Sequence, residues 1–183
     1  MTSLKKLSLL LLCVSACSMA AASAEEVPGG YGGVLVSRIS GSDSGVSPQP
    51  TAISGFVGYS IDPGFAIEGR AGTGLGSDTV NVVVPSYGVV NVAVKVKSYY
   101  GAYFRGILPV TDSFSLYTLA GFADAKIEGS AGGYTVSDSA SGFSWFVGGE
   151  VKFGSGGKQG VAAEWGRVVK GADALSVVYR FRF

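Results

Sequence analysis

The residues able to do chemistry in this chain sit at every second position of apolar segments. Glu68 and Arg70 are spaced this way, as are Lys95 and Lys97, Asp124 and Lys126, Glu150 and Lys152, and Arg180 and Arg182, with Arg38, Arg105 and Glu164 in similar settings. Carboxylates so placed can act as acids and bases, or they can neutralise cations across a dry interior. The chain has no histidine, and its only cysteines are Cys13 and Cys17. A Ser–His or Asp–His mechanism is therefore excluded, and no thiol nucleophile is expected in the mature chain. No Cys/His cluster offers a zinc site, and no Asp-rich loop has a calcium-binding pattern. The glycine-rich stretches "GTGLG" (72–76) and "GSGGKQG" (154–160) lack the spacing of a phosphate loop and read as turns. The expectation is a protein with no catalytic residue, no cofactor and no metal, whose charges pair with one another because an unpaired buried charge costs several kcal/mol.

A period of two belongs to β-strands, so the elements that place these charges must be strands. Eight strand-like segments rich in Val, Tyr, Phe and Ile are predicted at about 30–40, 50–60, 65–76, 92–108, 114–128, 140–153, 159–170 and 174–183. Tight turns rich in Pro, Gly and Asp, "SIDPGF" (60–65), "LPVTDSF" (108–114) and "FGSGGKQ" (153–159), alternate with longer loops at 41–50, 74–92 and 129–139; "KGAD" (170–173) is a short fourth loop.

The charges fall in one parity set of each segment. In the sixth segment Phe143, Trp145, Val147, Val151 and Phe153 oppose Ser144, Phe146, Glu150 and Lys152. In the third, Phe65 and Ile67 oppose Glu68 and Arg70; in the fourth, Val94, Val96, Tyr100 and Phe104 oppose Lys95, Lys97, Tyr99, Tyr103 and Arg105; in the fifth, Tyr117, Leu119, Ala123 and Ile127 oppose Asp124 and Lys126. Arg167 breaks the pattern. The string of alternations is the same for a soluble barrel with an apolar inside and a membrane barrel with an apolar outside.

Composition and the ends of the chain favour the second. Charged residues are 15% of the 183, against roughly 25% in soluble domains. Lys5 and Lys6 precede the apolar run "LSLLLLCVSACSMA" and the small-residue site Ala22-Ser23-Ala24, the layout of an export signal. Two processing routes are open, cleavage after Ala24 or acylation of Cys17, and the continuation of the run past Cys17 favours the first. The expected organisation is a signal peptide at 1–24 and a barrel domain at 25–183. Without Lys5 and Lys6, 12 of the 14 Lys+Arg face 13 Asp+Glu, so no basic excess points to nucleic acid. Strand ends carry aromatics (Tyr59, Phe65, Trp145, Phe153, Trp165), as interfacial girdles do.

The last segment, "ALSVVYRFRF", places Leu175, Val177, Tyr179, Phe181 and Phe183 on one face and ends on phenylalanine. It resembles the C-terminal signal by which bacterial outer-membrane proteins are handed to their assembly machinery. With the leader and eight strands, the chain resembles the small OmpA/OmpX-like barrel family over 28–183, without the periplasmic domain of longer members. The resemblance implies an all-β, eight-stranded antiparallel up-and-down transmembrane barrel in the bacterial outer membrane, both termini periplasmic and non-enzymatic. It implies Tyr179, Phe181 and Phe183 as an assembly signal, and the barrel-assembly machinery, membrane lipid and lipopolysaccharide as partners of a monomer.

Eight strands enclose a space that side chains just fill. The expected lumen set is Arg38, Glu68, Arg70, Lys95, Lys97, Arg105, Asp124, Lys126, Glu150, Lys152, Glu164, Arg180 and Arg182, a charged plug; its nine cations against four anions also allow a narrow anion-preferring path. Two Val-rich runs in 79–97 flank Pro85-Ser86-Tyr87-Gly88 and read as a hairpin beyond the membrane, a surface-partner or adhesin element over 75–92. Arg167 and Lys170 are placed to meet lipopolysaccharide phosphates.

Overall fold

The computed structural model describes residues 28–41, 49–84, 88–131 and 134–183, so the expected leader, Cys17 and the tip Pro85-Ser86-Tyr87 lie outside the described residues. Nine antiparallel strands follow in chain order: β1 (Gly29–Gly41), β2 (Thr51–Asp62), β3 (Phe65–Gly74), β4 (Asp78–Val84), β5 (Gly88–Thr111), β6 (Phe114–Ala131), β7 (Tyr134–Phe153), β8 (Gln159–Val169) and β9 (Ala172–Arg182). Each pairs with its chain neighbour where a turn permits. The ring closes twice over, through β1 on β9 (Tyr31↔Arg182 to Gly41↔Ala172) and through β3 on β5 (Phe65↔Gly106 to Gly72↔Tyr99). Eight strands form the barrel. The ninth, β4, pairs only with β5 among the described residues (Asp78↔Val94 to Val84↔Gly88) and stands above β3 as the expected hairpin.

Short turns gather at one end. Gly64 N–H donates to Asp62 Oδ1 (2.7 Å), and Phe114 N–H to Thr111 Oγ1 (3.0 Å), closing the turns into β3 and β6. At the other end β6 and β7 continue as a paired ribbon to Ala131↔Tyr134, so most of the loop expected at 129–139 is strand. Gly171, at φ 82°, makes the tight turn between β8 and β9 that a side chain would strain. Short turns are periplasmic and long connections extracellular in barrels of this kind.

The apolar face points outward. Val57, Phe104, Phe122, Val177 and Phe183 are 68%, 72%, 71%, 61% and 75% exposed, whereas Arg105, Glu150 and Arg180 are at most 1% exposed. A soluble barrel would reverse these values.

Candidate functional site: the charged lumen

The lumen holds an alternating acid–base chain. Glu164 takes a two-pronged bond from Arg70 (2.5 and 3.0 Å), Arg70 Nε donates to Glu68 Oε1 (2.8 Å), and Glu68 Oε2 lies 3.5 Å from Arg180 Nη2. Arg180 in turn bonds Glu150, which also receives Arg105 Nη2 (2.6 Å) and Arg182 Nη2 (3.2 Å). The partners reach in from β3, β5, β7, β8 and β9, so the chain ties the ring across its diameter. Two tyrosines supply further donors: Tyr31 O–H to Glu68 Oε2 (3.0 Å) and Tyr117 O–H to Glu164 Oε2 (2.9 Å). Three buried arginines therefore meet three buried glutamates.

Aromatic faces fill the space between the charges. The Arg105 guanidinium lies 4.3 Å from the Tyr117 ring centroid, Arg70 lies 5.1 Å from that of Phe146, and Arg180 lies 5.1 Å from that of Tyr31. Desolvated cations gain from such faces, about 2 kcal/mol each. Nearer the extracellular mouth Tyr99 and Tyr103 share a hydroxyl–hydroxyl bond, and Tyr103 meets Ser144 (3.0 Å). A cavity of about 20 Å³, beside Arg70, Tyr99 and Phe146, has room for about one water molecule.

Bulky inward rings recur opposite glycine. Tyr31 pairs with Gly58, Phe56 with Gly33, Tyr103 with Gly121, Tyr117 with Gly148 and Phe146 with Gly166. A Cβ at Gly148 would come within 2.7 Å of the Tyr117 ring, and one at Gly33 within 2.7 Å of the Phe56 ring. Each ring thus lies over the bare backbone of its neighbour.

Of the expected lumen residues, Glu68, Arg70, Arg105, Glu150, Glu164 and Arg180 are brought together, with Lys152 and Arg182 half-buried towards the periplasmic end. Arg38, Lys95, Lys97, Asp124 and Lys126 are outside, and each correction has a local cause. On β1 the inward set is Tyr31, Leu35 and Ser37, which leaves Arg38 exposed on the outer face near the extracellular end. On β5 the register slips between Val96 and Ser98, so Lys97 is an extra, bulged residue. Below the bulge Tyr99, Tyr103 and Arg105 point in; above it Val96 is buried and Lys95 and Lys97 point out. On β6 the two faces are opposite to expectation: Tyr117, Leu119, Ala123 and Ala125 are buried, while Asp124 and Lys126 are exposed. Their charges clear the hydrocarbon because they lie beyond Phe122, at the extracellular end of the strand. There Glu128 is bridged by Lys95 (2.9 Å) and Lys97 (3.1 Å), and these bonds hold its carboxyl below the usual range. Arg167, outward as expected, pairs with Asp173 at 3.1 Å.

No curated protein matches the sequence. Among solved structures, the attachment invasion locus protein Ail of Yersinia pestis is similar at 14% identity and TM-score 0.54, over 85% of this chain and 97% of that one. Neisserial surface protein A is similar at 15% identity and TM-score 0.60, over 88% and 100%. The N-terminal barrel domain of Pseudomonas aeruginosa OprF is similar at 12% identity and TM-score 0.50, over 86% and 100%. At these identities the likeness establishes the fold. The family model described as outer membrane protein beta-barrel domain matches residues 9–181, and with a closed ring, an apolar exterior and a charged interior the chain belongs to that family, in the bacterial outer membrane.

Proposed function

We propose that this protein is a non-enzymatic outer-membrane scaffold with a structural or surface-interaction role, its lumen packed shut by the arginine–glutamate chain. The observation that carries this is the balance and burial of the plug: three arginines on three glutamates, with Arg105, Glu150 and Arg180 at most 1% exposed. A narrow anion path loses much of its charge basis, since Arg38, Lys95, Lys97 and Lys126 lie outside together with Asp124, which cuts the expected lumen excess of cations from five to two. In planar bilayers the purified barrel should give no steady conductance. A stable, anion-selective conductance would overturn the sealed lumen.

A second reading, a surface adhesin, is favoured by β4. Its outer edge has no strand partner among the described residues, and an unpaired strand edge is a template for a partner strand. Two neighbours, an attachment invasion protein and a neisserial surface protein, bear names that agree with surface work. Removing residues 80–91 should then abolish attachment of expressing cells to epithelial monolayers while the barrel keeps its heat-modifiable gel mobility. Undiminished attachment would leave the hairpin a rigid loop.

A further inference from the structure

Beyond the rim of the barrel β4, β5, β6 and β7 form a four-stranded sheet with two outer edges. One is β4 itself and the other is the part of β7 above Trp145, and neither has a strand partner among the described residues. Natural edges are guarded by lysine, proline or a bulge, because bare N–H and C=O groups template another strand. β4 has none of these guards. It reads "DTVNVVV" and pairs with β5 at seven consecutive positions without a register shift. Its one charge, Asp78, stands at the membrane end, where Oδ2 accepts from the Gln49 N–H at 2.7 Å. The β7 edge is less open: Asp138 lies near the middle of its free stretch, and like charges set against each other across two strands repel.

The direction of β4 selects the copy that can use it. β3 climbs from the turn at Gly64 to the extracellular end, and β4 continues upwards from Asp78 to Val84 before β5 descends. Two copies upright in one membrane would bring β4 beside β4 in parallel, the less stable ladder per residue. Copies on facing membranes are inverted, so their β4 strands meet antiparallel, with the two barrels on opposite sides of the pair.

The strand also matches itself in length and charge. Its middle residue is Asn81. A two-fold axis there sets Thr79 against the other copy's Val83 and Val80 against its Val82, and satisfies the outer groups with about six backbone hydrogen bonds. The two Asp78 carboxylates then stand about 20 Å apart, at about 3.3 Å per residue, where salt screens their repulsion.

We propose that β4 is a self-recognition edge, pairing antiparallel with β4 of a second copy of this chain on a facing outer membrane so that the two β4–β5 hairpins become one continuous sheet. This rests on the reading of β4 as a surface-interaction element and names its partner. One such pair is a small contact, and the many copies on two facing surfaces act together.

Phosphatidylcholine liposomes carrying the barrel purified from outer membranes provide the test, with turbidity reporting clustering and heat-modifiable mobility the fold of each variant. Wild-type liposomes should cluster and empty ones should not. Asn81→Lys or Asn81→Asp sets like charges opposite each other at the axis and should slow clustering at least about fivefold, whereas mixing liposomes of the two variants should restore it. A short bismaleimide should join Asn81→Cys barrels into dimers, and join Thr79→Cys to Val83→Cys but neither of those two to itself. Wild type that fails to cluster overturns the proposal. Clustering that neither charge variant slows puts the contact elsewhere and also overturns it, as does loss in both variants that their mixture does not repair. Host cells are absent, so failure here overturns the two-fold pair while the adhesin reading keeps its own test.

Discussion

Arg70 and Glu164 grip each other across the lumen, from β3 to β8, through two bonds of 2.5 and 3.0 Å, with neither side chain exposed to solvent. Truncating one partner leaves the other charged and buried. Glu164→Ala should cost about 3–5 kcal/mol, whereas Arg70→Met/Glu164→Met, which removes both charges, should recover most of that loss. Urea unfolding in lipid vesicles, arranged as a double-mutant cycle, measures the coupling; additive losses would show that the pair is not a unit.

Inward and outward glycines should respond in opposite ways. Gly58→Ala drives a Cβ into the Tyr31 ring and is expected to cost about 1–3 kcal/mol by overpacking. Gly69→Ala enters open space and should be neutral or stabilise the strand by up to about 1 kcal/mol. The same unfolding assay separates the two.

Cysteine labelling reads the bulge on β5. Lys95→Cys and Lys97→Cys should react with a membrane-impermeant maleimide on intact cells, and Val96→Cys, buried at 4% exposure, should be protected. The reverse pattern would restore an unbroken alternation and remove the bulge.

Glu128 provides a pH-dependent bridge. Its hydrogen bonds from Lys95 and then Lys97 lower its pKa in the folded state, so the bridge is fully formed above the unfolded carboxyl value of about 4.3 and is lost as pH falls through the lower folded value. A carboxyl-resolved NMR titration should show the Glu128 midpoint rising in Lys95→Gln/Lys97→Gln. An unchanged midpoint would mean that the lysines do not hold it.

Both tryptophans lie on the outer face, Trp145 and Trp165 packed edge to face at 5.2 Å between centroids. Brominated phosphatidylcholine should quench nearly all the protein's tryptophan emission, and aqueous iodide little of it. Strong iodide quenching without bromine quenching would place the apolar face away from lipid.

Strand number, ring order and the faces of β3, β7, β8 and β9 were legible in the sequence because one unbroken period of two runs through each. The reading failed where the period breaks or where burial does not track charge. Lys97 shifts β5 by one residue, and a bulge leaves no mark in a string of alternating types. On β6 the lone charges Asp124 and Lys126 are high on the outer face, and Tyr117 and Leu119 are inside because an apolar or phenolic side chain can pack a lumen as well as face lipid. A better signal was present: Tyr117 has Gly148 across the sheet, as Tyr103 has Gly121 and Tyr31 has Gly58. A large ring with glycine as its cross-strand neighbour identifies the inward face where charge does not.

The pairing of β1 with β9 makes the two ends of the chain one seam. Phe183 N–H bonds the Gly30 carbonyl at 3.1 Å at one end of that seam, which runs on to Gly41 opposite Ala172. The ring thus closes between the first and the last strand of the chain, and without β9 both β1 and β8 would present an unpaired edge.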